Sequence, residues 1–314
     1  MEEHYRIIKY KPNVAGNIVI GGLYAIQSFV FLFYIIRHKD KWALCLPLGA
    51  IASSIGYFLR LSLDPENVSL ILYVLQSMFI IATPSAFLAF NYMLYGRLLT
   101  AIDPQFGPDK SHSKMEKSRY SCIPPQIVGR VFIISDITTF LIQVAAGGML
   151  GAAGGNNPSL AKFGDTLYLV GVCAQGACYF LFTVLLTVTL MRLVAERQRA
   201  GADRFGKSWM GLDHNTLITA SALYFSSLFI TLRSVYRIIE FIQGHDGYLV
   251  SKEVFLFFLD AVPLILAIGI WAIVWPTVPL NKIAAQVRDG AQMYYMEPGN
   301  SRHHLPSSAS SVVN

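Results

Sequence analysis

The feature that most constrains this chain is a set of seven apolar stretches, at about 14–36, 42–63, 68–96, 127–153, 164–192, 215–242 and 252–279. A helix rises about 1.5 Å per residue, so about 20 mostly apolar residues cross the hydrocarbon core of a bilayer. Composition agrees, because 54% of the residues are hydrophobic and only 14% are charged, against about a quarter charged in an ordinary soluble domain. The expected fold is all-α: a polytopic integral membrane protein built as a bundle of seven transmembrane helices over residues 14–280. Residues 1–13 form its extracellular N-terminus, and 281–314 read as a disordered cytoplasmic tail without a periodic apolar face. The first residues mix acids and bases and lack a cleavable signal pattern, and the apolar run after them is too long for a signal core.

Lysine and arginine set the orientation. Arg37, Lys39 and Lys41 follow the first span; Arg97, Lys110, Lys114, Lys117 and Arg119 follow the third. Arg192, Arg197, Arg199, Arg204 and Lys207 follow the fifth, and Lys282, Arg288 and Arg302 lie in the tail. The opposite side has only Arg6, Lys9, Lys11, Lys162 and Lys252. The N-terminus is therefore expected outside and the C-terminus in the cytoplasm. Asn67-Val-Ser69, a glycosylation sequon, falls in a short outer loop and reads as an unmodified turn asparagine too close to the bilayer to be reached.

The net charge of +6 does not indicate nucleic acid, because the basic residues are spread over loops rather than gathered in a stripe. Cys45, Cys122, Cys173 and Cys178 show neither metal-ligand spacing nor a disulfide framework and read as small buried hydrophobes. There is no phosphate-binding glycine loop, no histidine within a span for an intramembrane zinc site, and no acyl-transfer Ser/His pair. No cofactor is expected, and an enzyme is the weakest reading. The adjacent His303 and His304 read as solvated tail residues.

The spans nevertheless contain charge, and intramembrane ionisable groups are functional-site hypotheses by default. In the sixth span Arg233, Arg237 and Glu240 are spaced by four and three and share a helix face. Arg233 lies about 13 Å below the outer end of its helix. In the seventh, Glu253 and Asp260 are seven apart and are expected on one face. Arg60, near the outer end of the second span, joins the same level. Together they form a band of arginines and carboxylates close to neutrality, as a buried network requires. Two accounts stand side by side: a salt-bridge clamp of helices 2, 6 and 7, and an outward-facing polar cavity for the head group of an amphiphile. A second set lies in the fourth span, where Asp136 and Gln143 share a face beyond Arg130. Interhelical hydrogen bonding with Gln175 of the fifth span is one reading, and a proton-coupling carboxylate is the other. Gly147, Gly148, Gly151 and Ala152 stand at close-packing spacing, Pro84 and Pro263 are expected to kink their helices, and Tyr57, Tyr92 and Tyr236 read as packing or interface anchors.

Gly56-Tyr57-Phe-Leu-Arg60, Pro84, Tyr92, Arg97, Ser135-Asp136, Gln143, Gly147, Gly148 and Gln175 occur in this order. Arg233, Tyr236-Arg237, Glu240, Gly247, Glu253, Asp260 and Pro263 follow. In this joint order and spacing, over about residues 10–280, the chain resembles the fungal lipid-translocating exporter family, also called the family of resistance to aminocholesterol, whose members have seven spans. The resemblance implies a fungal protein of the plasma membrane tied to export of sphingoid long-chain bases or to resistance against toxic amphiphiles; some relatives are associated with tetrapyrrole transport. Its expected partners are membrane lipids or amphiphilic small molecules. One position departs: Ser53 stands where the family commonly has a glutamate, which thins the polar network at helix 2. The rival from another class is a seven-helix lipid receptor or sensor without transport activity. Against it, no Asp-Arg-Tyr ends the third span and no Asn-Pro-x-x-Tyr occurs in the seventh.

Overall fold

The structure, a computed structural model, describes residues 13–63, 70–103, 120–121, 123–153, 157–199, 213–243 and 253–296. Residues 1–12, Asn67, Cys122, His303 and His304 lie outside these ranges. The helices are α1 Val14–His38, α2 Cys45–Arg60, α3 Leu70–Ile102, α4 Pro125–Ala153, α5 Pro158–Arg199, α6 His214–Gln243, α7 Glu253–Ile273 and α8 Thr277–Met296. The first seven are long and apolar enough to cross a membrane. α3 and α5 run past the expected spans, because a helix continues into its charged flanks beyond the hydrocarbon-length core.

Local signals explain the ends. Asn13 caps α1 by accepting from the Gly16 N–H at 3.0 Å. Lys39 closes the helix in the left-handed region at φ 58°, and a short 3-10 turn, Lys41–Leu44, leads into α2. Each spanning helix packs on its sequence neighbours, α7 returns to α1, and α3 also reaches α6. Phe31, Tyr92, Phe182 and Trp271 fill the centre, whereas Phe29, Phe33, Ile36 and Ile273 point outward. An apolar exterior of this kind suits a lipid solvent.

α7 is not a uniform α-helix. Its residues Leu256–Ala261 wind as a π-helix, and Val262 donates back five residues to the Phe257 carbonyl. Pro263 follows in the first turn of the next α-helical segment. Proline lacks a backbone donor and crowds the carbonyl four residues earlier; the wider π winding lets the helix continue past it. Side chains of α1 tie to this helix: Tyr24 donates to the Ala261 carbonyl at 3.2 Å, Gln27 to Ile265 at 3.0 Å and Tyr34 to Ala272 at 3.3 Å. Pro84 sits inside the continuous α3, where the neighbouring Thr83 hydroxyl donates to the Phe79 carbonyl at 2.8 Å.

Two expectations are corrected here. Residues 281–296 are helical rather than disordered, because α8 follows a break at Trp275 and Pro276 that ends the last span before residue 279. Leu280, Ile283 and Val287, spaced by three and four, lay one face on the bundle, where α8 meets α3 and α6. Asp40 pins the corner, accepting from Trp275 Nε1 at 2.9 Å and from the Thr277 hydroxyl at 2.5 Å. The Arg97 guanidinium lies over the Trp42 ring at 4.5 Å on the same face. Second, Gly147 and Gly148 do not mediate close packing: a Cβ at either would meet nothing within 4 Å among the described residues. The close approach of α4 and α5 runs through Gly171, where a Cβ would lie 2.8 Å from Gln143 Cγ, and through Gly164, 3.2 Å from the Ala146 carbonyl oxygen.

Candidate functional site

The charged residues gather at the end of the bundle where α1 and α7 begin and α2 and α6 end, and they form two clusters rather than one band. In an α-helix Glu253 and Asp260 share a face. The π segment turns each residue through a smaller angle, so the two carboxylates diverge: Asp260 meets α6, and Glu253 meets α1 and α2.

In the first cluster Asp260 is buried with 1% of its side chain exposed. Its Oδ1 accepts from Arg233 Nε at 2.8 Å and from Arg237 Nε at 2.7 Å, and its Oδ2 accepts from Arg237 Nη2 at 2.6 Å. Arg237 thus grips it with two parallel bonds, the strong form of the pair. The other side of Arg237 donates from Nη1 to Glu240 Oε2 at 3.0 Å, and the Tyr236 hydroxyl donates to Glu240 Oε1 at 3.3 Å. The α6 spacing therefore does what helical geometry requires. Two guanidinium groups face two carboxylates, and the set is neutral. Tyr236 is a member of this network as well as a packing residue.

In the second cluster Arg60 Nε lies 3.3 Å from Glu253 Oε1. Glu253 Oε2 accepts from the Asn13 N–H at 2.7 Å, and its Oε1 accepts from Asn17 Nδ2 at 3.1 Å. Among the described residues this set pairs one guanidinium with one carboxylate and joins α1, α2 and α7. Asn13 and Asn17 were missed in the sequence. The signal was available: Asn17 is an amide one turn into an otherwise apolar span and is fully buried. Ser53, the departure at helix 2, donates to Thr83 Oγ1 at 3.0 Å and takes no part in either cluster.

The α4 residues separate. Gln143 Nε2 donates to Gln175 Oε1 at 2.9 Å, and Gln175 Nε2 donates to the Ser85 hydroxyl at 3.0 Å, bridging α4, α5 and α3. A cavity of about 10 Å³, bordered by Gln143, Gln175, Tyr168, Arg233 and Arg237, joins this bridge to the first cluster. It has room for about one water. Asp136, two turns away along α4, is buried elsewhere in the bundle beside Tyr92. Arg130 is exposed. Beside the second cluster, Gly16, Val19 and Leu23 of α1 and Phe257, Phe258 and Leu266 of α7 line an apolar crevice of about 480 Å³. Among the described residues no group of three or more histidine, cysteine, aspartate or glutamate side chains is placed to hold a metal.

The family profile described as "RTA1 like protein" matches residues 46–282, a stretch that runs from the first turn of α2 past the end of α7 and includes the charged residues of both clusters. The chain belongs to the RTA1-like family. The protein RTA1 of Saccharomyces cerevisiae is 22% identical over 307 residues, covering 90% of this chain and 88% of the relative. Protoporphyrin uptake protein 1 of the same yeast is 30% identical over 222 residues, 70% of this chain and 64% of the relative. The sphingoid long-chain base transporter RSB1 of S. cerevisiae is 26% identical over 178 residues, 48% of this chain and 45% of the relative. No solved structure matches the chain. This protein is thus a seven-span integral membrane protein of a fungal family whose named members include a lipid-translocating exporter-like protein of Ajellomyces capsulatus.

Proposed function

We propose that this RTA1-like protein translocates amphiphilic lipids of the sphingoid long-chain base type, or toxic amphiphiles of similar build, across the plasma membrane without hydrolysing ATP itself. The N-terminus faces outside, as the lysine and arginine distribution supports, so both charge clusters belong to the outer half of the bundle. The observation that carries the reading is the juxtaposition of two clusters of paired charges with an apolar crevice. The amine of a long-chain base exchanges for a guanidinium on Asp260, Glu240 or Glu253 while its chain lies in the α1–α7 crevice. A zwitterionic head group enters the same clusters without changing their charge balance.

The conformation described is closed. With room for about one water beside Arg233 and Arg237, no head group fits until the ion pairs part. The clusters therefore act as a gate as well as a binding site, and the π segment of α7 that aims Asp260 at α6 is where the gate is built. Arg237 and Asp260 are expected to be required for resistance to exogenous long-chain base. Cells expressing Arg237→Gln or Asp260→Asn at matched membrane levels should become as sensitive as cells without the protein. Unchanged resistance and unchanged lipid release in both variants would remove the charged cluster from the mechanism.

A further inference from the structure

Within the described residues of the spanning helices two aspartates are buried, Asp136 and Asp260, and the bundle treats them in opposite ways. Asp260 is met by three guanidinium hydrogen bonds. Asp136 is 2% exposed, and its carboxyl oxygens face no hydrogen-bonding group among the described residues other than the Tyr92 hydroxyl. No lysine, arginine or histidine is paired with it among those residues. Arg130 on its own helix is six positions away, on a different face and exposed. The titratable side chains around Asp136 are Tyr92 from α3, and Tyr179 and Cys178 from α5, and none of them is basic. From α6 the uncharged Ser227 faces Tyr179.

Tyr92 is held against this carboxyl by its ring. It stacks on Phe132 at 5.2 Å and meets Phe182 edge-on at 4.7 Å, and the whole residue is buried. Its hydroxyl has no hydrogen-bond partner other than this carboxyl among the described residues. An ionised carboxylate left alone in such a place costs several kcal/mol, and buried groups in that position take up a proton instead. The neutral acid gains a donor that the carboxylate lacks, and the Tyr92 oxygen is free to accept from it.

We propose that Asp136 is a proton-binding site, occupied in the closed conformation, whose proton leaves only when the bundle opens to water around Tyr92. Polar side chains run from it toward both ends of the bundle. Toward the charged end stand Gln143, Gln175 and the water-sized cavity beside Arg237. Level with it, Asn91 contacts Tyr179 and Ser226, and toward the opposite end Tyr95 contacts Thr189 and Ser121. The site therefore lies between two seams that water can follow when the helices separate. It is independent of the lipid assigned above, because protonation is read without any substrate.

The test is infrared spectroscopy of the full-length protein in lipid nanodiscs at neutral pH, in choline chloride, with and without ¹³C in the aspartate side-chain carboxyl. The expected result is a carbonyl band of a protonated acid above the amide band, moved down by the label and lost in Asp136→Asn but kept in Asp260→Asn. Where Asp136→Asn fails to fold, Asp136→Glu answers the question, because it keeps the carboxyl and takes it out of the aspartate label, so the label-sensitive band is lost. Absence of a label-sensitive band would overturn the proposal. So would a band that persists in folded Asp136→Asn, or one that sodium chloride abolishes in place of choline chloride, which would make the site a cation site.

Discussion

Removing the charge of Asp260 is the most informative single perturbation of the charged end. In Asp260→Asn the side chain keeps its size, but Arg233 and Arg237 are left with Glu240 alone, and a neutral buried set acquires a net positive charge. Breaking a buried ion pair by removing one partner costs about 3–5 kcal/mol. With 1% of Asp260 exposed, little solvent is at hand to lower that cost. Substituting Arg233→Gln in the same chain restores neutrality, because Arg237 and Glu240 remain paired at 3.0 Å. The double variant is therefore expected to recover at least about half of the loss, a coupling of about 1.5 kcal/mol or more, at the upper end for residues sharing one network. Unfolding free energy in bicelles by steric trapping measures all four corners of the cycle. A loss below about 0.5 kcal/mol for Asp260→Asn, within the range of ordinary surface substitutions, together with additive behaviour of the double variant, would refute a desolvated network and indicate charges already in contact with water.

Other outcomes follow from the same geometry. Gly171→Ala should destabilise by about 1–3 kcal/mol through overpacking against Gln143, whereas Gly147→Ala, with open space around it, should be neutral or stabilising by up to about 1 kcal/mol; thermal unfolding of the two side by side decides. Ile283→Ala, at a 3% exposed position of α8, should cost about 2 kcal/mol or more, and a neutral result would detach α8 from the bundle. Glu253→Gln removes the charge facing Arg60 and leaves one oxygen for the two donors, Asn13 N–H and Asn17 Nδ2, that meet different carboxylate oxygens, so a loss of about 1–3 kcal/mol is expected, as for a hydrogen bond to a charged group. Val19→Trp, on the wall of the apolar crevice, should lower lipid flux without lowering the unfolding temperature.

How much of this was legible depended on whether a property is local. Span positions come from apolar length, a local quantity, and α1, α2, α4 and α6 lie close to where hydropathy puts them. The shared face of Arg233, Arg237 and Glu240 follows from helical spacing alone, and the Gln143–Gln175 bridge follows from the rarity of amides in apolar spans. The divergence of Glu253 and Asp260 was not legible, because spacing arguments assume 3.6 residues per turn and α7 abandons that winding over Leu256–Ala261. Pro263 marked the region as irregular without saying that the helix would widen there. α8 was hidden for a different reason: three apolar residues over two turns are a weak signal, and the face is stabilised by α3 and α6, which are distant in sequence. Gly147 and Gly148 misled because small-residue spacing says where helices can approach, not that a partner does so.

The central claim is lipid movement by this chain alone. The most direct measurement is the transbilayer flux of a labelled sphingoid long-chain base in vesicles reconstituted with the purified protein and no other. Saturable flux above that of protein-free vesicles is predicted, lost in the charge-balanced Arg233→Gln/Asp260→Asn variant even where its stability recovers. Flux equal to that of protein-free vesicles would contradict translocation and leave a lipid sensor as the reading. Flux unchanged in the double variant would contradict the charged end as the site.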